Sequence, residues 1–241
     1  MRQNWLVPVV LLALAGCTGT SHSTIDAAGV SGDGRSDWLS DFQLAGRTLA
    51  TTGRNTYFIL EPGFQLVLEG HGQRVTITVL NETKEVNGTL TRVVEEREEK
   101  NGQLVEVSRN YFAISPDTGD VFYFGEEVDM YENGKITDHS GAWQAGQANA
   151  RAGLIMPGRP VVGMKYYQEQ APGKAMDRAR VVSLTETRKT PAGTFTGCLK
   201  TEEGSALDPQ EKEFKFYAPG IGLIQEEDLL LTRYGLKGST R

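Results

Sequence analysis

The chain has 241 residues, with 25 Lys and Arg against 31 Asp and Glu and a net charge of −6. An acidic chain of this kind is a poor candidate for sequence-independent nucleic-acid binding, which needs Lys and Arg to displace counterions, and equally poor for electrostatic docking on anionic lipid. The length suits one domain, alone or with a tether, and 28 glycines favour many tight turns over long helices.

At the N-terminus Arg2 precedes an apolar run over residues 5–15 that is rich in Leu and Val. The run is about half of the ~20 residues a spanning helix requires, and no other stretch reaches ~18. It matches the apolar region of a secretory signal peptide. It closes on Leu14-Ala15-Gly16-Cys17, which resembles the bacterial lipoprotein lipobox. The resemblance implies cleavage before Cys17 and a diacylglyceryl group on its sulfur, with further acylation of the palmitate type. Loss of residues 1–16, Arg2 among them, would leave 225 residues and a net charge of −7. Each buried CH₂ of such an anchor contributes about 0.8 kcal/mol. Thr18, not aspartate, follows the cysteine. In the lipoprotein pattern this implies the periplasmic side of the outer membrane, if the cell has two membranes.

The expected organisation is a signal peptide (residues 1–16), an acylated Cys17 with a tether and a short docked segment (17–53), and one β-rich domain (54–236). Residues 18–36 are Gly-, Ser-, Thr- and Asp-rich without apolar periodicity and read as a flexible tether. Trp38, Leu39, Phe42, Leu44 and Leu49 suit a docked segment of one or two helical turns.

From Thr56 onward strand signals dominate. Strands are expected over residues 57–60, 64–69 and 74–86, where Val75, Ile77 and Val79 alternate with Thr76 and Thr78. Asn87-Gly88, Asn101-Gly102 and Asn133-Gly134 each supply the two positive-φ residues of a type I′ hairpin. Residues 104–114 and 121–131 read as two long strands. With Pro116–Gly119 as a four-residue loop, Phe112 would face Tyr123, Tyr111 Phe124, Arg109 Glu126, Val107 Val128 and Val105 Met130. The run Glu95-Glu96-Arg97-Glu98-Glu99-Lys100 puts charge on both strand faces and reads as a solvated hairpin tip, with Arg97 opposite Glu106. Residues 141–153 read as a long loop around Trp143, and long loops in compact domains often carry function. Further strands are expected over residues 164–170, 176–188, 193–203, 211–217 and 222–234, separated by Pro-fixed turns. The fold class is therefore all-β: a long-stranded antiparallel meander forming a curved sheet, half-barrel or barrel, with a β-sandwich as the alternative.

Chemistry is sparse. Asp138-His139-Ser140 has the letters of a triad, but neighbours in an extended chain point apart. His22 lies in the tether and His71 in a turn, and no His or Cys spacing suggests zinc. Asp117-Thr118-Gly119-Asp120 lacks the rest of a calcium loop and reads as a turn. Cys198 reads as a buried inert thiol; Lys200, on its side of the strand, is the nearest cation in sequence. No catalytic, cofactor or metal residues are assigned, and Cys17 alone is a candidate site, for lipidation.

The motifs Tyr123-Phe124-Gly125-Glu126, Tyr131-Glu132-Asn133-Gly134-Lys135, Gly141-Ala142-Trp143-Gln144-Ala145-Gly146, Gly153-Leu154-Ile155-Met156-Pro157 and Tyr217-Ala218-Pro219-Gly220-Ile221-Gly222-Leu223 resemble those of a widespread uncharacterised family of secreted bacterial proteins and lipoproteins. That resemblance implies no activity and no catalytic residues. By architecture alone the chain is comparable to the half-barrel of lipoprotein-carrier proteins. The expectation is a non-catalytic envelope binding or scaffold domain, with an apolar ligand or an envelope protein as partner on the concave face. A hydrolase of envelope polymers is the alternative; it would need carboxylates or His139 converging near residues 141–153.

Overall fold

A computed structural model describes residues 38–238. The expected signal segment and tether, Cys17 and His22 lie outside the described residues. The strands are β1 (Gly53–Asn55), β2 (Phe58–Leu60), β3 (Phe64–Gly70), β4 (Gln73–Val86), β5 (Thr89–Lys100), β6 (Gln103–Ile114), β7 (Val121–Glu132) and β8 (Lys135–Asp138). They continue as β9 (Trp143–Gln144), β10 (Gly153–Met156), β11 (Lys165–Tyr167), β12 (Asp177–Thr190), β13 (Gly193–Ser205), β14 (Glu213–Ala218), β15 (Gly222–Glu226) and β16 (Leu229–Leu236).

All but β1 and β2 belong to one 14-stranded antiparallel sheet, in the order β10-β7-β6-β5-β4-β3-β16-β15-β14-β13-β12-β11, with β8 and β9 also on β7. The all-β curved sheet is thus as expected. It is not closed into a barrel. Its two ends do meet, at a single bridge where Arg151 N donates to Gln170 O at 2.9 Å. The seam is tight: a Cβ on Gly153 would overlap the carbonyl of Gln168. The β1–β2 hairpin lies outside the sheet and is pinned to it by Tyr57 Oη donating to Gly197 O (3.1 Å) and Gly220 N donating to Thr56 O (2.7 Å).

All three Asn-Gly pairs have positive φ at both residues, and His71-Gly72 forms a fourth turn of this kind. The expected strand over residues 222–234 is instead the hairpin β15–β16, turned at Glu227 with φ of 46°. No helix forms around Phe42 among the described residues. The segment docks extended, through a parallel bridge of Leu39 to Tyr166 and a bridge of Ala50 to Ile114. Residues 141–153 are not a free loop either. They lay β9 against β7 and bury Trp143, whose ring meets Tyr123 at 5.3 Å and 71°.

Two β-bulges overturn the expected registers. The β6–β7 ladder begins as expected, with Ile114 on Val121 and Phe112 on Tyr123. Beyond Tyr111 it slips by one, so Arg109 faces Glu127, Val107 faces Asp129 and Glu106 faces Met130. The cause is Gly125, at φ of 132°, over which the backbone of Trp143 packs too closely for a Cβ. In the β5–β6 ladder the turn sets Lys100 on Gln103 and Glu99 on Leu104, then Val105 is extruded. Glu98 therefore faces Glu106, and Arg97 faces Val107 rather than Glu106. A third irregularity in β4, between Val79 and Thr83, is held by Arg92, whose guanidinium donates to the carbonyls of Thr51, Leu80 and Glu82.

Candidate ligand cavity

The curved sheet encloses a cavity of about 920 Å³, within the ~300–1,000 Å³ range of small-molecule sites. Strand register grades its lining. Toward the β1–β2 hairpin lie Phe58, Phe112, Tyr123 and Met156, with Phe58 edge-on to Phe112 at 5.2 Å. The next row runs Val79, Val94, Asn110, Glu126, then Ile77, Glu96, Ser108, and then Val75, Glu98, Glu106. Gln73, Lys100 and Asp228, at the tips of neighbouring hairpins, mark the rim. One end of the cavity is therefore apolar, and acid accumulates toward the other.

The second wall repeats the theme. Glu203, Glu213 and Glu226 surround Lys215, whose Nζ lies 3.6, 3.1 and 2.7 Å from them. Glu203 also accepts from Thr201 Oγ1 at 2.7 Å and Tyr217 Oη at 3.1 Å. Burial alone would lower the ammonium pKa, but the three carboxylates outweigh it and hold Lys215 well above the usual lysine range. Asp177 and Glu169, flanking the β11–β12 connection, complete the acidic lining.

The opposite carboxyls have no comparable cation. Burial, with Glu98 next in effect, pushes Glu96 up to about 8. Burial and then Glu106 push Glu98 up to about 7, and burial and then Glu96 do the same for Glu106. Glu126 rises to about 8, chiefly by burial. Glu169 lies well above the carboxylate range through burial, then Glu126 and Asp177. Burial also raises Asp177 and takes Glu213 to about 7. These side chains are deep in the molecule yet only half-buried against water, because the cavity itself admits it. Tyr123 Oη donates to Asn110 Oδ1, and Asn110 Nδ2 donates to Ser108 Oγ at 3.1 Å, which ties the polar row together.

Three buried polar groups beside the acids lack a hydrogen-bond partner: the indole N–H of Trp143, the hydroxyl of Tyr166 and Oδ1 of Asp177. Trp143 is 4% exposed and Tyr166 is wholly buried. The Trp143 N–H is close enough to Glu169 to favour its charged form without reaching hydrogen-bond geometry, and Tyr166 lies in the field of Glu203.

The run at residues 95–100 is thus not a solvated tip: Glu96 and Glu98 line the cavity. A legible signal existed, since both continue the face of Val94 at period two. Glu126 could not be found that way, because the Gly125 bulge reverses the facing of β7. Asp138-His139-Ser140 forms a local turn, with Ser140 Oγ donating to Asp138 Oδ2 and His139 N to Asp138 Oδ1 at 2.7 Å. His139 Nδ1 instead meets Val128 O at 2.8 Å and Asp129 Oδ1 at 3.0 Å at the cavity rim. Cys198 is buried, and burial pushes its thiol up; Lys200 Nζ sits 3.9 Å from the Phe214 ring centre. The Pro116–Gly119 turn closes as expected, with Gly119 N donating to Ser115 O at 2.8 Å. No group of three or more ligating side chains among the described residues has metal-site geometry. No helix among them is long and apolar enough to cross a membrane.

No family model matches the chain, nor does any curated protein or any solved structure.

Proposed function

We propose that the protein is a lipid-anchored envelope lipoprotein whose β-rich domain is a non-catalytic binding module, with its ligand in the cavity. The observation that carries this reading is the 920 Å³ of space enclosed by the sheet. A domain serving only as a scaffold has every reason to fill such a space, since interiors pack as densely as organic crystals. The anchor rests on Leu14-Ala15-Gly16-Cys17, and residues 18–36 would let the domain range at most roughly 65 Å from the bilayer. Native mass spectrometry of the protein purified without its lipid tests the binding reading. A co-purifying small molecule or lipid is the expected result; a protein that is empty and takes up no probe overturns it. Cys17→Ala should release the protein from membranes, and continued retention counts against the anchor.

The convergence of carboxyls favours a second reading, hydrolysis of an envelope polymer, in which a protonated carboxyl serves as general acid beside an ionised one. Turnover of cell-wall glycan that disappears in both Glu126→Gln and Glu169→Gln would establish it in place of binding alone.

A further inference from the structure

An apolar ligand would explain the floor of the cavity but not its walls. Glu98 and Glu106 are direct cross-strand partners, and like charges placed opposite one another destabilise a sheet. The Val105 bulge creates that pairing, where the unbulged register would set Arg97 against Glu106. The Gly125 bulge likewise turns Glu126 inward beside Asn110. Two backbone irregularities therefore bring acid into a cavity that already holds Glu96, Glu169 and Asp177. Folding alone gains nothing from this arrangement.

The deep cation, Lys215, forms its ion pairs with Glu203, Glu213 and Glu226 on the other wall; it also acts through space on Glu96, Glu98, Glu169 and Asp177, without outweighing their burial. At the rim Arg74 is paired with Glu69, Lys174 donates to Ala142 O at 3.2 Å, and His139 meets Asp129. Lys100 stands at the β5 end of the rim. The remaining rim charges are negative: Glu99 of β5, Glu132 of β7, Glu211 before β14, and Glu227 and Asp228 between β15 and β16. Within this lining, Asp177 Oδ1 is buried without a hydrogen-bond partner and can accept one.

Building on the binding reading above, we infer that the occupant is an amphiphile bearing at least one protonated amine. Its ammonium sits among Glu96, Glu98, Glu106, Glu126, Glu169 and Asp177, and its apolar part lies along Ile77, Val79 and Phe112. The grading of the lining sets the orientation, tail toward the β1–β2 hairpin and ammonium toward the rim. From Glu98 to Arg92, the residue opposite Phe112, β5 advances six residues, roughly 20 Å. This length accommodates a medium alkyl chain with its head group. A cation entering this cluster favours the ionised carboxyls, so binding releases protons and tightens as pH rises.

The test uses the full chain in phosphatidylcholine nanodiscs and three probes of equal chain length: octylamine, octanol and octanoate. Binding is followed by calorimetry, with intrinsic tryptophan fluorescence as a second signal. Octylamine should bind at least tenfold more tightly than octanol, with octanoate weakest. Its affinity should fall at least tenfold from about pH 8.5 to about pH 5.5, and Glu96→Gln/Glu126→Gln should remove most of the preference over octanol. Equal binding of octylamine and octanol, or an octylamine affinity indifferent to pH, overturns the amine inference and leaves the binding reading standing. Failure of all three probes overturns both.

Discussion

Lys215→Met isolates the one deep ion cluster in the cavity. Methionine keeps the apolar stem and removes the ammonium that lies 2.7 Å from Glu226, 3.1 Å from Glu213 and 3.6 Å from Glu203. Lys215 and the three acids are each no more than 21% exposed at the side chain. Removing one partner of a buried ion pair costs about 3–5 kcal/mol, because the remaining charge keeps its desolvation penalty. Cavity water reaches this cluster, so about 3 kcal/mol is expected at about pH 8. The cost must depend on pH. Glu213 is held up at about 7 even with Lys215 beside it, and its pKa rises further once that lysine is gone. A carboxyl raised in the folded state costs nothing below its unfolded pKa of about 4.5 and its full penalty above the folded value. The penalty in Lys215→Met should therefore shrink to about 1 kcal/mol near pH 5. Urea midpoints of the parent and variant at the two pH values measure it. An equal loss at both, or none at about pH 8, would refute the electrostatic account of this cluster.

The unsubstituted protein should itself lose stability as pH rises. Glu96, Glu98, Glu106, Glu126 and Glu213, raised to between about 7 and about 8, bind protons in the folded state that the unfolded chain has already released. A fall of roughly 3–5 kcal/mol from about pH 5 to about pH 8.5 is expected after allowing for screening by cavity water, and a urea series that is flat or rises across that window contradicts it. Arg92→Met strips the donors from the carbonyls of Thr51, Leu80 and Glu82 and should cost about 2–4 kcal/mol. Hydrogen exchange should rise first at the β4 irregularity, and uniform exchange would argue against its role there. Gly153→Val drives a side chain into the Gln168 carbonyl and should part the seam between β10 and β11 at a cost of more than about 2 kcal/mol. Faster amide exchange at Arg151, whose N–H bonds to Gln170 O, is the readout; unchanged protection there would mean that the ends tolerate the widening.

Turn chemistry and alternation made most of the fold legible. A type I′ hairpin needs positive φ twice in succession and Asn-Gly adopts it at little cost, so their strands could be paired from sequence. The first rungs of β6 on β7 followed from one four-residue loop. What failed was propagation along the ladder. A bulge depends on tertiary contact: Gly125 is left-handed because the Trp143 backbone packs against it, and residues 141–153 give no local sign of doing so. The helical expectation for the segment around Phe42 failed for a related reason. Its apolar residues fit either conformation, and bridges from Leu39 and Ala50 to strands more than sixty residues away decide for the extended one.

The same limit explains why the cavity was hidden. Read one strand at a time, Glu95 to Lys100 is a charged tip, since single-strand alternation cannot tell outer solvent from water inside a curved sheet. The distinction arises only when β4–β7 and β12–β15 face each other and bring Glu96 and Glu98 toward Lys215, Glu213 and Glu226. Bulges then matter more than their size suggests. Slipping a ladder by one residue exchanges which side chains face inward, so the extruded Val105 and the left-handed Gly125 decide the charge of the cavity while leaving strand order unchanged. In this fold the long strands set the volume of the site, and two interruptions of their regularity set its chemistry.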